Sequence, residues 1–134
     1  MFEQRFRVYY EDTDASGVMY HARYLAFFER ARTEYLRALG FDQQALMQEQ
    51  GIAFTLSDLA VRYRRPARLD DELIVSVVVE KAGAASVQFR QRMWLAAAAD
   101  QNLAELTVRA GCVAYPSFQV TRMPEDVRTA LQSK

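Results

Sequence analysis

A predicted strand passes into a long predicted helix through the residues Tyr9-Tyr10-Glu11-Asp12-Thr13-Asp14-Ala15-Ser16-Gly17-Val18-Met19-Tyr20-His21-Ala22-Arg23-Tyr24. The stretch contains an acidic turn, one glycine and His21, the only histidine of the chain, at the predicted helix start. A carboxylate such as Asp14 can activate water or attack a carbonyl carbon. The first amides of a helix have no internal partner and can bind a carbonyl oxygen. Together these features suit carbonyl chemistry.

After this stretch the sequence has helical periodicity over residues 22–39. One wide stripe of the helix is apolar and strongly aromatic, and consists of Tyr24, Phe27, Phe28, Ala31, Tyr35 and Leu39. Such a stripe predicts a helix buried under a sheet. Gly40 is expected to close it in the left-handed conformation. A second, short helix is predicted over residues 42–50, with Asp42 at its start and Gly51 at its end.

In most of the remaining segments apolar and polar residues alternate with a period of two, which predicts strands. They are predicted over residues 4–11, 52–65, 73–81, 86–97 and 103–115, with a hairpin at Gly83, a turn at Asp100-Gln101-Asn102 and a short C-terminal helix over residues 124–131. On the first strand, Phe6, Val8 and Tyr10 are expected to share one face. Gly111, inside the last strand, suggests a bulge or a close backbone approach.

This order predicts an α+β fold in which one antiparallel sheet wraps around one long central helix, as a single domain over residues 1–134. A single sheet leaves an edge that a protein must protect. Dimerisation into one continuous sheet would protect it.

Composition argues against several classes of protein. Half of the 134 residues are hydrophobic and net charge is zero, which argues against disorder and against nucleic-acid binding, although a local basic patch remains open. No apolar run is long enough to span a membrane or to act as a signal peptide, so we expect a cytoplasmic protein. The single cysteine, Cys112, is expected to be a buried, inert thiol, and no ligand spacing indicates a metal site.

Several motifs in order resemble those of hotdog-fold acyl-CoA thioesterases. They are Tyr-Glu-Asp-Thr-Asp at residues 10–14, Gly-Val-Met-Tyr-His at 17–21 with Tyr24, Phe-Glu-Arg-Ala-Arg-Thr-Glu at 28–34, and Pro-Ala-Arg-Leu-Asp-Asp at 66–71. The pattern is similar to that of the 4-hydroxybenzoyl-CoA thioesterase family and, within it, of the YbgC branch linked to the Tol–Pal system.

The resemblance implies a hotdog fold, a homodimer often paired into a tetramer, and an active site at the dimer interface. It assigns the catalytic carboxylate to Asp14 and the carbonyl-binding amide to His21, a position where the YbgC branch also has histidine. The implied substrate-binding residues are Gly17, Tyr20, Tyr24 and, from the partner subunit in aromatic-substrate relatives, Thr55.

The mechanism stays open at this point. Asp14 either attacks the thioester carbon, giving a mixed anhydride, or activates water as a general base, which we slightly favour. The His21 side chain could hold the carboxylate or the water. A thioester is already electrophilic, so we expect no metal and no cofactor besides the coenzyme A of the substrate. The simpler alternatives are turn roles for Asp14 and Asp12, through hydrogen bonds to their own backbone.

Four arginines flank Pro66, at positions 62, 64, 65 and 68. A solvated strand edge is the simpler interpretation, and binding of coenzyme A phosphates or of an acidic carrier protein is the alternative. The candidate coenzyme A contacts are Arg65, Arg68 and Lys81. The hairpin after Lys81 lacks the arginine-rich run that some relatives place against the nucleotide.

The leading hypothesis is therefore a homo-oligomeric acyl-CoA thioesterase. The alternatives are an acyl-carrier-protein thioesterase, a hydroxyacyl-carrier-protein dehydratase, and a non-catalytic acyl-thioester binding or scaffold protein of an envelope or lipid-synthesis complex. The single histidine lies in the thioesterase-like motif, which argues against dehydration.

Overall fold

A computed structural model describes residues 1–133 and contains a five-stranded antiparallel sheet in that range. The strands are β1 (Phe2–Arg7), β2 (Ile52–Tyr63), β3 (Glu72–Ala82), β4 (Ser86–Leu95) and β5 (Ala98–Ala114), in the spatial order β1-β3-β4-β5-β2. The helices are α1 (His21–Ala38), α2 (Gln43–Ala45, continuing as a π-helical turn Leu46–Gln50) and α3 (Glu125–Ser133). The predicted α+β architecture is confirmed.

Helix α1 packs its aromatic stripe onto the sheet. Phe27 stacks on Phe6 of β1 with ring centroids 5.3 Å apart, and Tyr35 meets Phe89 of β4 edge-on. Leu39 is only half-buried because it caps the helix. Gly40 follows at φ +98°, the left-handed conformation expected for it.

The inward-facing side chains of β3, β4 and β5 form the core beneath α1. They include Leu73, Val75, Val77, Val87, Phe89, Met93, Leu106 and Val108, together with Cys112. Cys112 is fully buried, as expected, and burial raises the pKa of its thiol. The thiol is therefore protonated and shielded, which makes it a packing residue.

Strand β1 is shorter than predicted. It ends at Arg7, and Tyr10 lies in a 3-10 helix (Tyr10–Asp12) with 83% of its surface exposed, so the predicted shared face with Phe6 and Val8 is wrong for Tyr10. The cause is Asp12, whose carboxylate accepts a hydrogen bond from the Tyr9 amide at 2.9 Å and bends the chain out of the strand.

The turn predicted at Asp100-Gln101-Asn102 is also wrong, because these residues belong to β5 and the reversal occurs at Ala96 and Ala97. Asn102 lies opposite Trp94, and its side-chain oxygen accepts hydrogen bonds from Arg92 at 2.9 and 2.7 Å. This cross-strand contact outweighs the local turn preference of the segment.

Gly111 pairs regularly with Ser86 and Thr55, so it marks no bulge. The irregularity lies on the neighbouring strand, between Leu56 and Asp58.

Strands β1 and β2 form the two edges of the sheet. Strand β2 exposes 52% of Leu56, 40% of Leu59 and 42% of Tyr63, an apolar row on an unpaired edge. No helix in the described part of the chain is long and apolar enough to cross a membrane.

Candidate active site

The acidic turn folds into a tight loop in front of α1. A β-bridge between Thr13 and Met19 closes it, and the Asp14 amide donates to the Val18 carbonyl at 2.9 Å. Gly17 donates back to the Asp14 carbonyl at 3.1 Å and takes φ +84°, a conformation that other residues rarely adopt. The loop thereby presents Asp14 on the protein surface.

The two carboxylate oxygens of Asp14 have different surroundings. Oδ1 accepts hydrogen bonds from the Ser16 amide at 2.9 Å and the Ser16 hydroxyl at 2.5 Å. Oδ2 accepts none of these bonds. The Ser16 hydroxyl, followed by the Ser16 amide, lowers the pKa of Asp14 below its ordinary value, and the nearby amides of Val18 and Asp14 contribute further to the lowered pKa of the carboxylate. Asp14 is thus ionised at neutral pH, with Oδ1 in the turn role and Oδ2 free for chemistry.

The start of α1 supplies free hydrogen-bond donors beside this loop. Tyr20 is the N-cap residue, and its side chain makes no capping hydrogen bond. The amides of His21 and Ala22 donate to no group in residues 1–133, whereas the Arg23 amide donates to the Tyr20 carbonyl at 2.9 Å. Unpaired amides at the positive end of a helix can stabilise an oxyanion.

A partly buried ion pair ties the loop to the helix. Asp12 is 3% exposed, and its Oδ1 accepts from Arg23 Nε at 2.9 Å and Nη2 at 2.8 Å. The Asp12 carbonyl also accepts from the Tyr20 amide at 2.9 Å. Asp12 therefore has the turn and capping role that was its simpler interpretation, and it sets the position of Asp14 relative to α1.

The segment after β2 supports the site from below. Met19 donates its amide to the Ala67 carbonyl at 2.7 Å, and the Ala67 amide donates to the Tyr24 hydroxyl at 2.9 Å. Tyr24 is 4% exposed, and burial raises the pKa of its hydroxyl, with the Asp14 charge as a smaller contribution. Tyr24 lies beneath the loop and supports it.

The aromatic rings at the helix start surround His21. Tyr20 is about half-exposed and its ring lies 4.4 Å from the His21 ring, while the Tyr63 hydroxyl of β2 donates to the His21 carbonyl at 2.8 Å. The His21 side chain itself is exposed. Tyr63 thus connects the edge strand to the first turn of α1.

The structure brings Asp14, Gly17, Tyr20, His21 and Tyr24 together, but Thr55 lies elsewhere in the same chain. It stands eight residues before Tyr63 on β2, which is ~26 Å along the strand. Thr55 is exposed on the sheet edge. It can approach a site of this kind only in another copy of the chain.

Of the candidate coenzyme A contacts, two are near the loop. Arg68 forms a β-bridge with Val18, and Arg65 follows closely after Tyr63; both side chains are exposed. Lys81 lies nine residues beyond Glu72 on β3, ~30 Å away at the other end of the strand. Within one chain, Lys81 does not join the two arginines.

Three contributors to the site were missed from the sequence: Ser16, Arg23 and Tyr63. Ser16 had a usable signal, because a serine two residues after an aspartate is typical of a turn in which the carboxylate accepts the following amide. Arg23 and Tyr63 act over 11 and 42 residues respectively, and no local pattern reveals such contacts.

Comparison with known proteins identifies the family. Residues 8–131 match the model of the thioesterase-like superfamily. The chain is 48% identical over 127 residues to the acyl-CoA thioesterase YbgC of Haemophilus influenzae, covering 92% of this chain and 89% of the relative. It is 49% identical over 127 residues to the acyl-CoA thioester hydrolase YbgC of Escherichia coli O6:H1, covering 95% and 92%.

Solved structures agree with these sequence relatives. A 1,4-dihydroxy-2-naphthoyl-CoA thioesterase from Synechocystis superposes with a TM-score of 0.90 at 25% identity, covering 98% of this chain and 95% of that one. The resemblance derived from the sequence motifs is thereby confirmed. The chain belongs to the thioesterase-like superfamily and has its hotdog fold.

Proposed function

We propose that this protein is an acyl-CoA thioesterase that hydrolyses a thioester to a carboxylic acid and free coenzyme A. The observation that carries the proposal is the pairing of an ionised, half-free carboxylate on Asp14 with two unpaired amides at the start of α1. The acyl-CoA thioesterase relatives, which are nearly half identical in sequence, support the same substrate class.

The reaction follows from this geometry. The thioester carbonyl oxygen accepts a hydrogen bond from the His21 amide, and the helix dipole stabilises the negative charge that develops on that oxygen. Asp14 takes a proton from the attacking water, and the tetrahedral intermediate then expels the coenzyme A sulfur, which receives that proton. In the alternative route Asp14 attacks the carbonyl carbon and expels the coenzyme A thiolate; water then hydrolyses the mixed anhydride, which releases the carboxylic acid, restores the Asp14 carboxylate and supplies the proton for the thiolate. Neither route needs a metal or a cofactor.

The active form is proposed to be a homodimer joined through the β2 edges, with a further pairing into a tetramer. Thr55 supports this, since it can reach a site only in the partner subunit. The exposed apolar row on β2 supports it as well. Arg65 and Arg68 are placed against the coenzyme A phosphates, with Lys81 as a contact from another subunit. We propose a cytoplasmic location, and acyl carrier protein as a second carrier of the acyl group.

The test is hydrolysis of short, long and aromatic acyl-CoAs by wild type and by the Asp14→Asn variant. We expect the variant to fold normally and to lose activity by ~10²- to 10⁴-fold, because the amide can neither take a proton nor attack. Asp100→Asn, which changes an exposed carboxylate on β5, is the matched control and should keep full activity.

Retained activity in Asp14→Asn would remove Asp14 from the reaction. Hydrolysis of the same acyl group on acyl carrier protein but not on coenzyme A would reassign the carrier. Failure of the wild type on every thioester would favour a binding or scaffold role.

A further inference from the structure

A groove of ≈ 360 Å³ lies between α1 and the edge strand β2. Its helix wall contains Leu25, Glu29, Arg32 and Leu36. Starting from His21, these residues recur every three or four positions, so they lie on the same side of α1 as His21. The groove therefore begins one helical turn from the amide that is proposed to bind the carbonyl.

The opposite side of the groove is apolar. It is formed by Phe54, Leu56 and Leu59 of β2 and by Val87 and Phe89 of β4. The polar side chains of the groove lie on the helix side, at Glu29, Arg32 and Thr33 of α1, and Gln43 of α2 donates its side-chain amide to the Thr33 hydroxyl at 3.4 Å. The groove is thus apolar on its sheet side, and its polar side chains lie on its helix side.

Arg32 is a buried cation in this wall, with 9% of its surface exposed. Its Nη1 donates to the side-chain oxygen of Gln91 at 2.8 Å, and the fully buried Gln91 donates its own amide to the Phe28 carbonyl at 3.0 Å. These two bonds fix the position of the guanidinium from the sheet side of the groove. Burial lowers the pKa of Arg32, and the charge of Glu29 opposes that shift.

The Arg32 guanidinium has no carboxylate within ion-pair distance in the described chain. It forms no ion pair in residues 1–133, and Glu29, the other charged residue of the groove wall, is exposed and makes none with it. A guanidinium has five N–H donors, and only one is used by Gln91. A hydrocarbon chain that fills the groove would displace water from the remaining N–H groups of Arg32. Those donors would then have no acceptor, which is costly for a buried charge.

We propose that the groove binds acyl groups that end in a carboxylate, and that this carboxylate pairs with Arg32. The inference rests on the proposed thioesterase function, since it names the substrate class of the same site. Arg–carboxylate pairs are short, strong and geometrically specific, and the Arg32 side chain is so little exposed that such a pair is weakly screened.

The position of Arg32 sets the length of the acyl group. Eleven residues separate Arg32 from His21, which is ~16 Å along α1, and side chains of a helix point back toward its start. An extended chain advances roughly 1.2 Å per bond, so a chain of roughly 10–13 bonds spans this distance. Dodecanedioyl-CoA has suitable dimensions.

The experiment compares kcat/KM of the wild-type protein on dodecanedioyl-CoA and on dodecanoyl-CoA, which differ only in the terminal carboxylate. We expect about a tenfold to hundredfold preference for the dicarboxylic substrate, the contribution of a hydrogen-bonded charge pair. Arg32→Met should abolish or reverse the preference, and Arg32→Lys should retain part of it. Arg37→Met, at an exposed arginine of α1 that pairs with Glu34, should leave the ratio unchanged.

Removing Arg32 alone would leave the side-chain oxygen of the buried Gln91 without its donor. The double variant Arg32→Met with Gln91→Leu replaces both partners by apolar groups and so avoids a buried unpaired polar group. Equal rates on the two substrates in the wild type would overturn the inference and leave the proposed function standing. A preference that survives in the folded double variant would also overturn it. Hydrolysis of neither substrate, nor of any shorter or aromatic acyl-CoA, would overturn the proposed function itself.

Discussion

At the level of single residues, Asp14 combines two roles on one side chain. Its Oδ1 belongs to the turn, held by the Ser16 hydroxyl and amide, while Oδ2 accepts neither of these bonds. The hydrogen bonds to Oδ1 lower the pKa of Asp14. They keep the carboxylate ionised and fix its direction, at the expense of some basicity.

Ser16→Ala tests this arrangement through pH dependence. Loss of the hydroxyl removes the largest cause of the lowered pKa, so the pKa of Asp14 rises toward its ordinary value of 3.8. Because the proposed reaction uses the ionised form of Asp14, the acidic limb of the kcat/KM profile should move to higher pH. The measurement is a pH–rate profile of both proteins, with Ser117→Ala as the control. An acidic limb that stays in place would show that Ser16 does not tune Asp14.

At the level of elements, the loop and α1 behave as one unit because Asp12 joins them. Its carboxylate holds the Tyr9 amide on one side and the Arg23 guanidinium on the other. The Tyr63 hydroxyl adds a bond from β2 to the first helical turn. The positions of Asp14 and of the free amides are therefore fixed relative to each other before substrate binds, which is favourable for catalysis.

Asp12→Asn should weaken both the fold and the reaction. The neutral amide loses the charge-assisted contacts to Arg23, and we expect the free energy of unfolding to fall by about 2 kcal/mol, as for hydrogen bonds to charged groups. Urea denaturation measures the loss of stability. In kinetic assays we expect a larger effect on kcat than on KM, because the loop is no longer held in place relative to α1. Glu11→Gln, at the exposed neighbouring carboxylate, is the control. Unchanged stability and rate in Asp12→Asn would contradict this role.

At the level of the whole molecule, the incomplete feature is the β2 edge. It exposes Leu56, Leu59 and Tyr63, and an unpaired edge strand of this length invites pairing with another strand. Antiparallel pairing of two β2 strands would bring Thr55 of one copy toward the Tyr63 end of the other. The position of Thr55 and the exposure of the edge thus favour the same assembly.

Leu59→Lys places a charge in this row and should prevent the assembly. We expect wild type to sediment as a dimer or tetramer and the variant as a folded monomer, because a charged side chain is costly to bury at an interface. The oligomeric state is the deciding measurement, because Leu59 also lines the acyl groove and its replacement affects activity directly. Leu69→Lys is a matched control, as Leu69 is exposed to a similar extent (42% against 40%) but lies in a turn outside β2. A monomeric wild type with full activity would refute the dimer.

The sequence by itself determined those features that arise from interactions between residues close together in the chain. The buried stripe of α1, the left-handed glycines at positions 40 and 51, and the loop that presents Asp14 at a helix start could all be predicted. The physical reason is that helical periodicity, glycine conformation and turn hydrogen bonds act over a few residues. The family motifs added the hotdog identity of the fold, and they are the source of the proposal that Asp14 is catalytic.

Only the tertiary structure decided features that join distant residues. Arg92 draws Asn102 into β5 and overrides its turn preference, Arg23 fixes the position of Asp12, and Gln91 orients the buried Arg32 across 59 residues. Each of these contacts joins elements that meet only in the folded chain. Polar groups that lose water there require partners, and no such burial exists before folding.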